Sequence, residues 1–433
     1  MLFHNPSFLF FFLPIVFFFF FFIFKKKDLY QKYLLILASF IFYAAWNIKF
    51  SFLIITTILV NYFFGVRIIK SKKNKFNFLL IAVLFNIIFL AIFKYMDFII
   101  TNLNYLFNLN INLLNLPFPL ALSFVTFQTI AFLVDCYDGN IIKTNLKKYA
   151  LFISFFPQLI AGPIVRYSHM INQFEDQNNS SINYKNIYIG LIIISIGLIK
   201  KVLIADNISV FVDQGFASNH ELTFFEGWLT SLGFTFQIYF DFSGYIDMAT
   251  GIALLFNISL PANFNSPFKA TGMIDFWQRW HITLSKFLTN YIYYPLSKSF
   301  DNLTFTKSML VTMIVFIIAG LWHGPSWLFV VFGALHGLGL IVNQAYKKFF
   351  SIKLNKLFSQ FLTFNYVSFS LIFFRAQDFE SAFSIIKAMT DLSNFTNTIL
   401  ISIPNNSLLA FILAFIACFM FKNTGYIIDK LKK

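Results

Sequence analysis

The chain has 433 residues, of which 58% are hydrophobic and only 12% are charged. About a quarter of the residues of an ordinary soluble domain are charged, so this composition excludes that class. The formal net charge of +15 does not indicate nucleic-acid binding, because the Lys and Arg residues cluster in short loops, as the positive-inside rule predicts. Apolar runs of about 20 residues recur and predict an all-α polytopic protein of the lipid bilayer.

Apolar runs alternate with polar loops in the first third of the chain. The Lys-rich runs at 25–27 and 67–75 predict cytoplasmic loops, so the N-terminus and the uncharged loop 101–117 would face the periplasm. Residues 1–24 have neither a basic n-region nor a small-residue cleavage site, so we expect an uncleaved span rather than a signal peptide. The predicted spans of this part cover residues 8–24, 33–46, 50–64, 76–93 and 118–134.

The rest of the chain is less regular. Two prolines and a glycine in 155–167 predict a broken or re-entrant segment, which is tolerated at membrane depth only where protein or water covers it. Loop 375–404 would lie outside, and the tail DKLKK would lie in the cytoplasm. Further spans are predicted at 187–203, 226–245, 306–322, 327–342, 358–374 and 407–421. We therefore expect about 11 transmembrane helices plus re-entrant and amphipathic helices, in one integral-membrane domain over 1–433.

Residues 263–300 form an aromatic segment that is too polar to cross a bilayer. We predict a helix from Met273 to about Tyr291, which lies on the membrane surface or lines a wet cavity. Asp275 and Arg279 would form an i, i+4 ion pair on this helix. The predicted apolar stripe comprises Phe276, Trp280, Leu284, Phe287 and Tyr291, and the polar stripe comprises Gln278, His281, Ser285 and Thr289.

Two carboxylates lie within the apolar sequence of residues 236–251. Asp241 shares a helical face with Gln237, and Asp247 lies about two turns further on. An intramembrane carboxylate costs roughly 2.5–3.5 kcal/mol by insertion scales, so each is expected to pair with a cation. Arg279, Lys269 or Arg166 could be the partner, in a structural role.

Three histidines, His281, His323 and His336, lie in membrane-associated sequence. Taken singly, each is best interpreted as a core histidine bonded to a backbone carbonyl. A metal site needs two or three ligands at helical or turn spacing, and we expect no metal here. His323 differs because glycine and proline residues beside it predict a break in the helix. A neutral imidazole at such a break could accept a proton at neutral pH, so His323 is the candidate general base.

Two short stretches that contain histidine are the most specific motifs in the chain. They are DFWQRWHITLSKFLTNYIYYPL, around His281, and LWHG, around His323. Both resemble the paired motifs of the membrane-bound O-acyltransferases, and the resemblance covers nearly the whole chain. It is stronger to the bacterial branch that acetylates alginate and peptidoglycan than to the members that D-alanylate teichoic acid. The supporting stretches are SFVTFQTIAFLVDCYDG, FPQLIAGPIVRY, QIYFDFSGYIDMATG, NFNSPF and FFRA.

The resemblance implies roles for individual residues. His323 takes the position of the catalytic histidine of the second motif, and His281 takes the His or Asn position of the first. Members typically carry Arg where this chain has Gln278, so one positive charge is missing. The implied fold is a ring of helices in which a cytoplasmic tunnel and an outer funnel meet near the second-motif histidine. The substrate-binding candidates are Trp277, Arg279 and Trp280, together with Ser285, which belongs to the polar stripe.

The leading hypothesis is acetyl transfer from cytoplasmic acetyl-CoA, across the bacterial inner membrane, to an envelope polysaccharide, with the MurNAc sugar of peptidoglycan favoured. His323 would be the general base on an acceptor hydroxyl. His281 would orient the acceptor or stabilise the oxyanion. The resemblance implies a periplasmic SGNH-type O-acetyltransferase as partner, since the chain has no GDS nucleophile block. Acetyl-CoA would be the acyl donor, and no cofactor would be bound permanently.

Other functions remain open at this point. Within the same enzyme class, the acceptor could be alginate or another exopolysaccharide, or the reaction could be D-alanyl transfer to teichoic acid. A transporter or flippase is a different class, because broken helices and buried carboxylates also mark transport sites. A scaffold for the partner protein is a third interpretation.

Overall fold

The computed structural model describes residues 2–218, 220–350, 352, 354–395, 399 and 401–432. Within these ranges every regular element is a helix, which confirms the predicted all-α class. Six described helices are long and apolar enough to cross a membrane, or seven if a pair bent by 58° forms one broken span. Two shorter apolar helices add to them, and the prediction of a polytopic membrane protein is confirmed.

The helices are numbered here in chain order. The first nine are α1 (Phe8–Ile23), α2 (Asp28–Ala44), α3 (Ile48–Lys70), α4 (Lys75–Lys94), α5 (Met96–Phe107), α6 (Leu122–Tyr137), α7 (Leu146–Ser154), α8 (Phe156–Leu159) and α9 (Tyr167–Glu175). The next four are α10 (Tyr184–Phe216), α11 (Phe224–Leu255), α12 (Met273–Arg279) and α13, which runs from Ile282–Leu288 through the π turn Thr289–Tyr293 into Tyr294–Lys298. The last six are α14 (Phe305–His323), α15 (Trp327–Phe349), α16 (Lys356–Arg375), α17 (Phe379–Thr390), α18 (Asn405–Phe419) and α19 (Thr424–Lys432).

The chain divides into two compact units. One comprises Met1–Ile194 and Met248–Pro261, and the other comprises Ser195–Asp247 and Ala262–Lys433. The expectation of one integral-membrane domain over 1–433 stays a prediction. In the predicted outer loop 375–404 the structure has α17, while residues 396–398 and 400 lie outside the described residues, as does Lys433 of the predicted cytoplasmic tail.

In the first unit, α3, α4 and α6 share a buried polar contact. Asn61 and Asn86 exchange two amide hydrogen bonds of 3.1 and 2.6 Å, and the Thr129 hydroxyl donates to Oδ1 of Asn86 over 3.1 Å. All three side chains are buried. Lipid offers no hydrophobic driving force between helices, so packing and interhelical hydrogen bonds of this kind hold them together.

The predicted break at 155–167 is confirmed. α8 has only four residues, and the chain then runs without regular structure until α9 begins. The backbone N–H of Phe156 donates to Oγ of Ser39 over 3.0 Å, and Nε2 of Gln158 donates to the carbonyl oxygen of Phe152 over 2.7 Å. Protein side chains therefore satisfy backbone groups at the break, as burial in an apolar setting requires.

The predicted continuous helix from Met273 to Tyr291 is wrong. α12 ends at Arg279, Trp280 is extended, and His281 has left-handed backbone angles of φ 43° and ψ 53°. α13 begins only at the next residue. The predicted apolar and polar stripes therefore lie on two helices rather than on one continuous surface.

Asn263 explains this break. Its backbone carbonyl oxygen accepts the N–H of Ile282 over 3.0 Å, and its side-chain Oδ1 accepts the N–H of Thr283, also over 3.0 Å. The first N–H groups of a helix have no partner within the helix and need one from elsewhere. Asn263 supplies that partner from the start of the segment 263–300, so a new helix, α13, can begin after His281.

In the second unit, α14 and α15 form a hairpin with a close backbone approach. A Cβ atom added to Gly333 on α15 would lie 3.1 Å from Cα of Gly320 on α14 and against the carbonyl oxygen of Phe316. Small residues permit such contacts between membrane helices. Glycine at 333 therefore brings together the two helices that flank the sequence 324–326.

Gly333→Ala should destabilise the protein, because the new methyl group meets backbone atoms that cannot move aside independently. Overpacking of this kind costs about 1–3 kcal/mol. The midpoint of thermal unfolding in detergent should therefore fall by several degrees. Gly425→Ala is the control, since the nearest atom to a Cβ there would be Nδ2 of Asn423, at 3.6 Å. Equal midpoints for the two variants would contradict the close packing of α14 on α15.

Candidate active site

His323 is the last residue of α14, and the backbone changes direction immediately after it. Gly324 is extended, with φ −163° and ψ 156°. The Ser326 side chain then caps α15 by accepting the N–H of Leu328 over 3.2 Å. The predicted helix break beside His323 is confirmed, and the imidazole is only half-buried.

Aromatic rings surround the His323 imidazole. Its ring centroid lies 4.9 Å from that of Trp322, 5.1 Å from that of Phe374 and 5.9 Å from that of Phe332, with steep interplanar angles in each pair. Such edge-to-face contacts hold a ring in place without adding charge next to it. The result is an imidazole in an apolar setting that still has exposed surface.

Trp322 also contacts the first-motif histidine. Its ring centroid lies 6.5 Å from that of His281, and the two planes are inclined by 62°. The two predicted catalytic residues, His281 and His323, therefore pack against the same indole. The structure brings together the two histidine motifs that are far apart in the sequence.

His281 is buried and bonds to the residue that breaks the helix. Its Nδ1 lies 3.2 Å from Oδ1 of Asn263. The same oxygen accepts the backbone N–H of Thr283 over 3.0 Å and the Thr283 hydroxyl over 2.8 Å. The Phe242 ring packs edge-on against the imidazole, with 4.9 Å between centroids. The polar stripe was expected to line a wet cavity, but this side chain is 2% exposed.

His336 is the core histidine of the site. The indole N–H of Trp277 donates to its Nδ1 over 3.2 Å, and its Nε2 lies 2.9 Å from Oγ of Ser370. An indole nitrogen can only donate, so Nδ1 of His336 is the acceptor and Nε2 carries the proton. The Ser370 hydroxyl in turn donates to the carbonyl oxygen of Val367 over 2.7 Å. Both ring nitrogens are therefore engaged, and His336 joins α12, α15 and α16 as a neutral structural group.

The predicted substrate-binding residues take different positions. Trp277 is buried against His336. The Ser285 hydroxyl donates to the carbonyl oxygen of Trp277 over 2.9 Å, which ties α13 to α12. Trp280 is half-buried, and its ring stacks on Phe276 with 5.7 Å between centroids. Substrate binding by these residues stays a prediction, and the contacts observed for Trp277 and Ser285 are structural.

Arg279 forms the predicted ion pair with Asp275. Its Nε lies 2.6 Å from Oδ1 of Asp275, and its Nη1 donates to the carbonyl oxygen of Asn265 over 3.3 Å. The two charged side chains are 31% and 29% exposed. The guanidinium is thus held at a partly accessible position, and its role in substrate binding also stays a prediction.

The partners proposed for the two carboxylates of α11 are wrong. Asp247 pairs with Lys200 at 2.6 Å, and Asp241 pairs with Lys201 at 2.6 Å. Both lysines lie in a π turn of α10, which places consecutive residues where each meets a carboxylate of α11. The Thr424 hydroxyl completes the first pair by donating to Asp247 over 2.8 Å. The carboxylates therefore join helices of the second unit rather than bonding to the arginine of the motif.

A cavity of about 140 Å³ lies in the second unit beside the Lys200–Asp247 pair. Aromatic and apolar groups line most of it, together with the Lys200 and Lys422 side chains and Asn423. Lys422 is exposed and lies 3.8 Å from the ring centroid of Tyr426. Among the described residues no group of three or more His, Cys, Asp or Glu side chains is placed to hold a metal ion.

Sequence reasoning missed the residues that fix the histidines in place. Asn263 was noticed only as the first letter of NFNSPF, and Phe374 only as part of FFRA. Trp322 stands directly before His323 in the second motif but received no role. The available signal was that Asn263 and Phe374 lie in stretches that resemble the family and that Trp322 lies beside His323, although the sequence gives no distance between these residues and the histidines.

Ser370→Ala should lower the stability of the protein, because the buried N–H of His336 would lose its acceptor. An unsatisfied buried donor costs about 1–3 kcal/mol. Ser368→Ala on the same helix is the matched control, since that hydroxyl donates to the carbonyl oxygen of Phe364 in its own helix and its loss removes no acceptor from His336. The thermal unfolding midpoint should fall clearly more for Ser370→Ala, and equal shifts would contradict the tautomer assigned to His336.

Comparisons with known proteins identify the family of the chain. The model of the family described as MBOAT, membrane-bound O-acyltransferase family, matches residues 140–375. The chain is 42% identical over 428 residues to the peptidoglycan O-acetyltransferase of Helicobacter pylori, covering 91% of this chain and 80% of that protein. It is 32% identical over 370 residues to the probable alginate O-acetylase AlgI of Pseudomonas aeruginosa, covering 83% and 70%. It is 26% identical over 279 residues to the teichoic acid D-alanyltransferase of Bacillus subtilis, covering 61% and 70%. The chain therefore belongs to the membrane-bound O-acyltransferase family, and it is a multi-pass membrane enzyme that transfers acyl groups.

Proposed function

We propose that this enzyme transfers acetyl groups toward a cell-envelope polysaccharide, and that the polymer is peptidoglycan. The similarity to the Helicobacter pylori peptidoglycan O-acetyltransferase supports both the acetyl group and the acceptor. One observation in the structure carries the chemistry. It is the half-buried His323 at a helix end, among aromatic rings, with His281 on the same indole.

In this proposal His323 is the general base. As the acceptor hydroxyl oxygen attacks the carbonyl carbon of the acetyl thioester, its proton moves to the imidazole. The carbon–sulfur bond then breaks, and the imidazolium returns the proton to the leaving thiolate. General base catalysis of this kind contributes about 10²–10⁴-fold to the rate. His281 either orients the acceptor or stabilises the oxyanion, and Arg279, Trp277, Trp280 and Ser285 form the substrate side of the site.

The proposed donor is cytoplasmic acetyl-CoA, and the proposed membrane is the bacterial inner membrane. The Lys-rich loops support an orientation with the N-terminus in the periplasm and the C-terminus in the cytoplasm. The basic cytoplasmic loops would attract the phosphates of CoA. A periplasmic SGNH-type O-acetyltransferase would receive the acetyl group and complete its transfer to MurNAc.

A second acceptor is supported by a specific similarity. The probable alginate O-acetylase AlgI of Pseudomonas aeruginosa matches most of this chain, so alginate or another exopolysaccharide is the alternative. The more distant similarity to a teichoic acid D-alanyltransferase makes D-alanyl transfer the weaker alternative. The acceptor therefore has to be identified in cells.

Sacculi from a deletion strain should contain at least about tenfold less ester-linked acetate than wild-type sacculi, because the whole enzyme is absent, and loss of the base alone should cost about 10²–10⁴ in rate. The wild-type gene should restore the acetate, and His323→Ala should not restore it at equal membrane abundance. His169→Ala is the control, since His169 is an exposed residue of α9. If the acetate content of the sacculi is unchanged and a secreted polysaccharide loses its acetate, the acceptor is that polysaccharide and not peptidoglycan.

The purified enzyme should release CoA thiol from acetyl-CoA in the presence of an acceptor or water, which a thiol-reactive dye detects. His323→Ala should reduce this release by about 10²–10⁴-fold, while its elution volume and thermal midpoint stay those of the wild type. A transporter or flippase would release no thiol. Wild-type turnover by a folded His323→Ala protein would show that His323 is not the general base.

A further inference from the structure

We propose that Asn263 is a positioning residue that holds the His281 proton on Nδ1, so that Nε2 of His281 is the hydrogen-bond acceptor for the substrate hydroxyl. This inference rests on the proposed function, in which His281 contacts the acceptor. It chooses between the two roles that were left open for His281, orientation of the acceptor and stabilisation of the oxyanion.

The first step concerns the amide of Asn263. The atom 3.0 Å from the backbone N–H of Thr283 has to be the amide oxygen, because a backbone N–H only donates. The Thr283 hydroxyl lies 2.8 Å from the same atom and donates to it as well. Two bonds to one residue thus fix the orientation of the Asn263 amide without reference to the histidine.

The second step concerns the imidazole. Nδ1 of His281 lies 3.2 Å from that amide oxygen, which has no hydrogen to offer. Nδ1 must therefore donate, and in a neutral imidazole the other nitrogen then has a lone pair. A neutral His281 of this tautomer can accept a hydrogen bond from a hydroxyl through Nε2, but it cannot donate one to an oxyanion. His336 has the opposite tautomer, so Nε2 donates a hydrogen bond in His336, whereas Nε2 can accept one in His281.

The choice of asparagine at position 263 concerns charge. Its Nδ2 group is buried and has no hydrogen-bond partner in the described structure, and the residue is 1% exposed. The protein therefore bonds only to the oxygen, which an aspartate would provide equally well. The remaining difference between the two residues is charge. An aspartate would favour the protonated imidazolium, which has no lone pair, whereas an asparagine keeps His281 neutral.

Few other charges act on His281. The charged and titratable residues on the helices around it are Lys307 and His323 on α14, Asp275 and Arg279 on α12, Lys286, Tyr291, Tyr293, Tyr294 and Lys298 on α13, and Glu226, Tyr239, Asp241, Tyr245 and Asp247 on α11. Asp275 pairs with Arg279, while Asp241 and Asp247 pair with Lys201 and Lys200. The histidine nearest to His281 in this set is His323, which shares the Trp322 ring with it.

The test is Asn263→Asp, which keeps the acceptor oxygen and adds a negative charge. The acidic limb of the pH–rate profile for acetyl transfer should move up by about one pH unit or more, because His281 would be protonated at higher pH. Asn265→Asp is the matched control, since Oδ1 of Asn265 accepts a hydrogen bond from the Asn423 amide over 2.9 Å rather than from His281, and its profile should keep the wild-type limb. An unmoved limb in Asn263→Asp would overturn the proposal.

The double variant Asn263→Asp with His281→Asn assigns the effect to the correct group. Its acidic limb should coincide with that of His281→Asn alone, because the titrating imidazole is absent from both. A shift that persists in this background would come from His323 or another residue, and the positioning role of Asn263 would be wrong.

Solid-state ¹⁵N NMR of the histidine-labelled wild-type protein gives a readout that does not depend on activity. The signals lost in His281→Asn should comprise a protonated Nδ1 and an unprotonated Nε2, and the opposite tautomer would overturn the inference even in an active enzyme. The opposite tautomer of His281 would not contradict the proposed role of His323 as general base. Conversely, wild-type turnover by His323→Ala would remove the proposed function without changing the tautomer of His281.

Discussion

The candidate active site depends on one amide oxygen. Oδ1 of Asn263 accepts hydrogen bonds from the backbone and hydroxyl of Thr283 and from the His281 ring. The backbone bond lets α13 begin where a continuous helix would have passed, and the left-handed conformation of His281 accommodates the turn. The same oxygen then holds the imidazole, so local backbone geometry and the protonation of the ring have a common origin.

The three histidines differ in what their surroundings leave available. His336 has a donor on one nitrogen and an acceptor on the other, so the protein uses both. His281 is held through Nδ1 within a buried cluster. His323 stands at a helix end with part of its ring exposed. These differences, more than the presence of histidine in a motif, favour His323 as the group that exchanges a proton with a substrate.

Much of the fold could be predicted from the sequence, because apolar length and loop charge act locally. The helices and the breaks at 155–167 and after His323 follow from runs of apolar residues and from glycine and proline. The break at His281 could not be predicted, since its cause is Asn263, which lies outside the periodic pattern of the segment. The partners of Asp241 and Asp247 were also missed, because a π turn in α10 shifts Lys200 and Lys201 from the positions that regular helical spacing gives.

The ion pairs near the site affect how readily a histidine there is protonated. Bare charges are expensive at membrane depth, and the structure pairs Lys200, Lys201 and Arg279 with carboxylates. Each pair removes a net charge that would otherwise favour or disfavour protonation of a nearby imidazole. The hydrogen bonds of His336 require a neutral ring, and the Asn263 oxygen places a proton on Nδ1 of His281. A general base needs this neutral resting state, since a ring that is already protonated cannot accept the proton of the acceptor hydroxyl.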